Sequence, residues 1–328
     1  MTVESTLKTL ILSLSSLVMF HCTDANVKQS NTKKENPPEK FFKGNDLKMA
    51  TAIYNNDTVA IENLVKKENF DVNGRGSVII PDYSTTDTVR YTYLNYAVVV
   101  GAMPASRTLL RLGADVDQPC INGGSYDANI NSACSSRNKE MIQLLIENKA
   151  NLNPKFGESP INDLLIGDVD KPLIDLLLTN GADINHKNYI SGDMPIFTAL
   201  QLGKFDYVNY FLDKGADPTT IDYNGNSPAL LIQKRIKEGR LSDYGLKECN
   251  KLKERLITQY HIKFPVKLEF RKGTQDAILK YNDLSQADKD FLGEADKKRI
   301  ELWENMLNKG VNLSGQSIDS LEAESLQQ

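Results

Sequence analysis

The chain has 328 residues, with 39 Lys and Arg against 43 Asp and Glu and a formal net charge of −4. Both signs are interspersed and the aromatic residues are not interleaved with clustered Arg or Lys, so there is no basic stripe and no nucleic-acid partner is expected. The histidines, His21, His186 and His261, stand at no metal-ligand spacing, and no cysteine pair has the close spacing of a zinc site, so neither a metal nor a cofactor is expected.

The chain opens on an eleven-residue apolar run with serines, Leu10 to Phe20, "LILSLSSLVMF". It is short of the roughly 20 apolar residues that span a bilayer and fits the apolar middle of a secretory leader. Cys22 ends the run, and the polar stretch "TDANVKQSNTKKENPPEK" after it reads as a flexible tether. Leader, cysteine and tether resemble a bacterial lipoprotein, which implies acylation of Cys22, membrane anchoring through it, and a periplasmic or outer-membrane-anchored location. His21 departs from the small residue that this pattern places before the cysteine, and Met19 and Phe20 also match it poorly. An ordinary leader cut after Ala25 and an uncleaved apolar N-terminus in a cytoplasmic protein are the alternatives. Residues 1–22 are thus assigned to the leader and 23–44 to the tether.

The next signal is a repeat. Leu109 to Gln118 reads "LLRLGADVDQ", Leu144 to Asn153 "LLIENKANLN", Leu176 to Asn185 "LLLTNGADIN" and Phe211 to Thr219 "FLDKGADPT". Ala114, Ala150, Ala182 and Ala216 are separated by 36, 32 and 34 residues. Each copy reads as a helix end, with leucines on the buried stripe and a glycine that can take the left-handed conformation closing the helix; Lys149 replaces it once. A second element precedes each copy: "TYLNYAVVVG" from Thr92, "ANINSACSSR" from Ala128, "SPINDLL" from Ser159, "MPIFTALQLG" from Met194 and "SPALL" from Ser227. Pro160, Pro195 and Pro228 suit the first helical turn, where the missing N–H costs nothing. Ala97, Ala133 and Ala199 are small where two helices must approach closely.

A period near 33 residues with a turn and two helices per unit is an ankyrin signature, and the upstream element resembles the Thr-Pro-Leu-His-x-Ala-Ala-x-x-Gly motif of the ankyrin family. A degenerate first copy runs from Asp46 to Asn73, and a sixth starts at Asp222 and loses the pattern after Ile232. The resemblance implies an all-α ankyrin-repeat solenoid of helix-turn-helix pairs with projecting β-hairpin turns over residues 45–240. Residues 241–312 form a helical C-terminal cap in this reading, with Ser242 to Tyr260 and Ser285 to Lys309 helical, and 313–328 a disordered tail. Trp303 belongs to an apolar helix stripe that reads as core, partner binding being its alternative use.

No Gly-x-Ser-x-Gly elbow and no phosphate-cradling glycine loop occurs, so a non-catalytic chain is expected, an activity hidden in the C-terminal part being the alternative. Cys120, Cys134 and Cys249 read as buried thiols, although Cys120 and Cys134 lie near enough in the repeat for a disulfide to be considered. The resemblance implies a protein partner gripped by the concave face and the finger-like turns. The fingers are uneven: Asn73 to Thr92 spans 19 positions against 8 from Thr219 to Ser227, and "CINGGSYD" at Cys120 to Asp127 is also long. The first finger, "GRGSVIIPDYSTTDTVRY", has the pattern of a protruding β-hairpin. Tyr83, Tyr126, Tyr189 and Tyr223 fall at or near finger tips, where tyrosine serves as an interface anchor, and are the expected partner-binding residues. Ankyrin proteins with such leaders look like periplasmic immunity proteins that neutralise a secreted toxin or lipase; a cytosolic or host-directed ankyrin scaffold is the other context.

Overall fold

The computed structural model describes residues 32–76, 89–122, 125–168 and 170–326. They fall into two compact units, divided between Tyr189 and Ile190. Cys22, Tyr83 and most of the expected leader and tether lie outside the described residues.

The unit ending at Tyr189 begins with a helical turn α1 (Thr32–Glu35) and a 3-10 turn (Pro38–Lys40). Four helix pairs follow: α2 (Gly44–Tyr54) with α3 (Thr58–Lys67), α4 (Tyr93–Val99) with α5 (Met103–Arg111), α6 (Asn129–Ser135) with α7 (Lys139–Glu147), and α8 (Pro160–Leu165) with α9 (Lys171–Thr179). First helices pack on first helices, α2 on α4, α4 on α6 and α6 on α8, while α3 packs on α5. A single pair cannot bury its own apolar face, and stacking makes the core continuous. Leu109, Met141, Leu145 and Leu177 of the second helices and Ala97, Ala133 and Leu164 of the first are all buried in it.

Local chemistry sets the boundaries. The Thr92, Asn138 and Asp170 side chains accept from the backbone N–H three residues on, capping α4, α7 and α9. Gly113 and Gly181 close α5 and α9 at φ 97° and 99°, and Lys149 holds the same left-handed conformation at φ 65° after α7. The acidic and amide residues that follow form a ladder of turns. Asp115 Oδ1 accepts from its own turn at Asp117 N (2.9 Å), and Asp117 Oδ1 accepts from Asn151 N of the next repeat (2.8 Å). Asn151 Oδ1 then takes Asn153 N (2.9 Å), and Asn153 Oδ1 takes Asp183 N (2.7 Å). The "GAD-x-D/N" rhythm therefore encodes both the turn and the stitch to its neighbour.

Residues 38–43 correct the tether. Pro38, Phe41 and Phe42 are buried, and Phe42 packs against Tyr93 and Tyr96 at ring-centroid distances of 6.0 and 5.0 Å. Tyr96 Oη donates to Asn36 O at 2.8 Å. Two adjacent aromatics behind a polar, proline-containing stretch cover α2 and α4 instead of prolonging the tether.

The unit from Ile190 holds two further pairs, α10 (Pro195–Gln201) with α11 (Phe205–Asp213) and α12 (Pro228–Glu238) with α13 (Asp243–Tyr260). Three more helices follow: α14 (Phe270–Asn282), α15 (Gln286–Lys309) and α16 (Ile318–Ser325). Ser285 starts α15 with a capping box, and Gly293 breaks that helix at φ 78°. The expected disordered tail is corrected as well. Ile318 is fully buried, Leu268 N donates to Ser325 Oγ (2.8 Å) and Gln233 Nε2 to Ser325 O (3.2 Å), which fixes α16 beside α12 and the start of α14. Trp303 of α15 is half-buried against Tyr223, 6.1 Å between centroids, with the Arg299 guanidinium over the Trp303 ring at 5.3 Å from its centroid.

Candidate protein-binding face

The two elongated fingers are joined. Val89–Arg90 (β1), Cys120–Asn122 (β2) and Ser125–Asp127 (β3) form an antiparallel sheet in the order β1-β2-β3, with Arg90 opposite Ile121 and Ile121 opposite Tyr126. The returning strand of the first finger is thus hydrogen-bonded to the hairpin of the second. At the base, Gly76 N donates to Tyr91 O (2.8 Å) and Arg75 Nη1 to Pro119 O (2.9 Å). The third strand supports a hairpin that would be marginal with two strands alone. Tyr126 lies in β3, in the joined sheet; Tyr83 belongs to the outer part of the first finger, outside the described residues.

Tyr189 and Tyr223 are not exposed finger tips. Tyr189 is 4% exposed and packs edge-on against Phe156 of the preceding turn at 5.1 Å, and Tyr223 is 3% exposed beneath Trp303. Tyr223 is also held by the cap, since its carbonyl accepts from Thr274 Oγ1 of α14 at 3.4 Å. Tyrosine suits both an interface and a core, and the helices that cover Tyr223 are remote in sequence. Cys120, Cys134 and Cys249 are buried thiols, not a disulfide. Burial, with Asp127 beside it, pushes Cys120 up to about 12, far from the reactive thiolate range.

Beside the joined fingers the first helices carry a polar row that periodicity alone does not single out. Asn95 of α4 donates through Nδ2 to Asn129 Oδ1 and Ser132 Oγ of α6, both at 3.1 Å. Asn131 of α6 donates through Nδ2 to Glu158 O (3.1 Å) and Asp163 Oδ2 (2.8 Å), and Ser135 Oγ donates to Asp163 Oδ1 (2.9 Å). Asn162 Nδ2 completes the row on Glu158 Oε2 at 2.8 Å. Asn95, Asn131 and Asn162 each stand at the motif's histidine position, three residues after the start of the element, so the sequence did carry a signal for this row.

Asp163 is the perturbed group. Half-buried burial of the carboxyl pushes it up to about 7; Glu158 and Asp127 add to the rise, and the hydrogen bonds from Asn131 and Ser135 oppose it. A carboxyl whose folded value lies above its unfolded one binds more protons when folded, so stability falls as pH rises through the interval from about 4 to about 7. Asp163→Asn is therefore expected to gain roughly 1–2 kcal/mol at pH 8, less than full desolvation would give because the carboxyl is only half-buried, and nothing at pH 4. Denaturant titrations of both proteins at the two pH values measure this; equal stability at pH 8 would contradict it.

No family model matches the chain, and no curated protein matches it. Among solved structures it is similar to the ankyrin repeat domain of Bcl-3, described as a unique member of the IkappaB protein family. The TM-score is 0.51 at 19% sequence identity, covering 65% of this chain and 87% of that one. At that identity the likeness shows the fold: an ankyrin-repeat fold of helix pairs and projecting turns.

Proposed function

We propose that this chain is a non-catalytic module that binds another protein through its joined first and second fingers and the neighbouring ends of the first helices. The observation that carries this reading is the β1–β2 pairing, which ties the returning end of the first long turn to the second. A stack whose units contact only their neighbours tolerates changes in such turns without unfolding. The test replaces residues 77–90 with a tight turn and measures affinity for the protein captured by the chain lacking residues 1–22. A loss of tenfold or more with an unchanged melting temperature supports the reading, and unchanged affinity removes the fingers from the interface.

We also propose that the protein acts outside the cytoplasm. The apolar run from Leu10 to Phe20, Cys22 and the polar stretch behind them support an acylated leader. The resemblance to exported ankyrin proteins favours neutralisation of a toxin as the purpose of binding. Cys22→Ser is expected to move the protein from the membrane fraction to the soluble exported fraction, since firm anchoring needs more than one acyl chain and all of them would depend on that residue. Intact Met1 on a wholly cytosolic protein would instead indicate a cytosolic scaffold.

A further inference from the structure

We infer that the first-helix face beside the second finger holds a socket, formed by Asn131, Ser135, Glu158, Asn162 and Asp163, for an arginine side chain of the bound protein. The inference deepens the protein-binding reading and rests on it.

Two independent observations meet here. The first is the excess of acceptors. The Asp163 carboxylate takes one hydrogen bond on each oxygen, from Asn131 and Ser135, and Glu158 takes one, from Asn162. An ionised carboxylate has room for about four such bonds. The second is the state of the two amides that reach into the cluster. Asn131 and Asn162 are 5% and 4% exposed, they spend Nδ2 on Glu158 and Asp163, and Oδ1 of each has no hydrogen-bond partner. A buried acceptor left without a donor bears its full desolvation cost. The complement of such a cluster is a group that carries donors only, stays charged, and can bridge planar acceptors. Guanidinium meets all three requirements, with five donors in a fixed fork, and an ammonium meets them less well.

The charged groups around Asp163 agree. From the finger side stand Asp127 and Glu158, both raising its affinity for protons. From α6 comes the buried thiol of Cys134, held well above its usual range by its own burial and by Asp163. The basic residue after α6, Arg137, directs its guanidinium at the carbonyls of Ile166 and Asp168. A cation seated at Asp163 favours the ionised carboxyl, so occupancy and protonation oppose each other, and binding weakens as pH falls below about 7.

The test titrates the full chain with N-acetyl-arginine amide and, as the neutral isostere, N-acetyl-citrulline amide, followed by NMR of the Asp163 carboxyl carbon and the Asn131 and Asn162 side-chain amides. The arginine compound is expected to shift these signals saturably and to lower the Asp163 titration midpoint, with the citrulline compound at least fivefold weaker. Asp163→Asn should weaken arginine binding at least fivefold at pH 8, Ser135→Ala should weaken it less, and Glu147→Gln, an exposed acidic position on α7, should leave it unchanged. Equal response to arginine and citrulline, or equal binding by the wild type and Asp163→Asn, overturns the socket. A better response to N-acetyl-lysine amide overturns the choice of guanidinium. Each of these results leaves the finger reading intact, because that depends on the 77–90 replacement, which does not touch the socket.

Discussion

Phe42→Ala is expected to destabilise the unit ending at Tyr189 by about 3–5 kcal/mol, the range for truncating a buried phenylalanine. Phe42 is fully buried and touches Tyr93 and Tyr96, both of which are buried first-helix residues of α4. The cost includes lost transfer energy, a cavity and two aromatic contacts that are worth more than their area. Chemical denaturation of the variant measures it. Removal of residues 1–35, which keeps the Asn36 carbonyl that Tyr96 Oη bonds, should change stability little, whereas removal of residues 1–43 should reproduce most of the Phe42→Ala loss. Equal stability of the two truncated chains would mean that residues 38–43 are a tether after all.

Gly225→Ala is the second large effect, in the unit from Ile190. Gly225 has φ 77°, and a Cβ there would stand 2.1 Å from the Glu269 carbonyl carbon and 2.2 Å from Phe270 N. Both neighbours are backbone, at the start of α14, so no side chain can swing aside. The left-handed conformation costs a residue with a Cβ roughly 1 kcal/mol, and displacing packed backbone about 1–3 kcal/mol more. The bond from Glu269 N to Gly225 O (2.9 Å) would be strained with it. A loss of about 2–4 kcal/mol and faster amide exchange across α14 are expected. Unaltered exchange in α14 would show that the helix is not seated on the turn from Asp222 to Asn226.

The repeats were legible because one short pattern serves several physical needs at once. In "LLRLGADVDQ" the leucines are core, Gly113 closes the helix, and Asp115 and Asp117 bind their own turn and the next one. The ends of the domain were not legible for the opposite reason. Phe41 and Phe42 are two aromatics in a polar, proline-containing context, and α14, "FRKGTQDAILKYN", buries only Gly273, Thr274 and Ala277, which leaves no apolar stripe to read. The pairing between the fingers was not legible, because it depends on a register that no local pattern carries; the hairpin expected within the first finger falls on residues 77–88, outside the described ones. Tyr189 and Tyr223 misled because the same side chain serves a wet interface and a packed turn, and the partners that bury them, Phe156 and Trp303, are distant in sequence. Asp163 was beyond reach for a related reason. Its environment is assembled from α6, α8 and the turn at Glu158, and acidic residues on a repeat surface give no sign of which will meet.

In the proposed function a partner protein covers the joined fingers and the first-helix ends. A complex of standard size buries about 800 Å² on each side, enough to cover the β1-β2-β3 sheet together with the Asp163 cluster. Hydrogen exchange of the chain with and without the captured partner tests this directly. Slowed exchange is expected in residues 75–76, 89–92, 118–128 and 158–163, with no change in the second helices α7 and α9. Slowed exchange confined to α7 and α9, with the fingers unaffected, would contradict it.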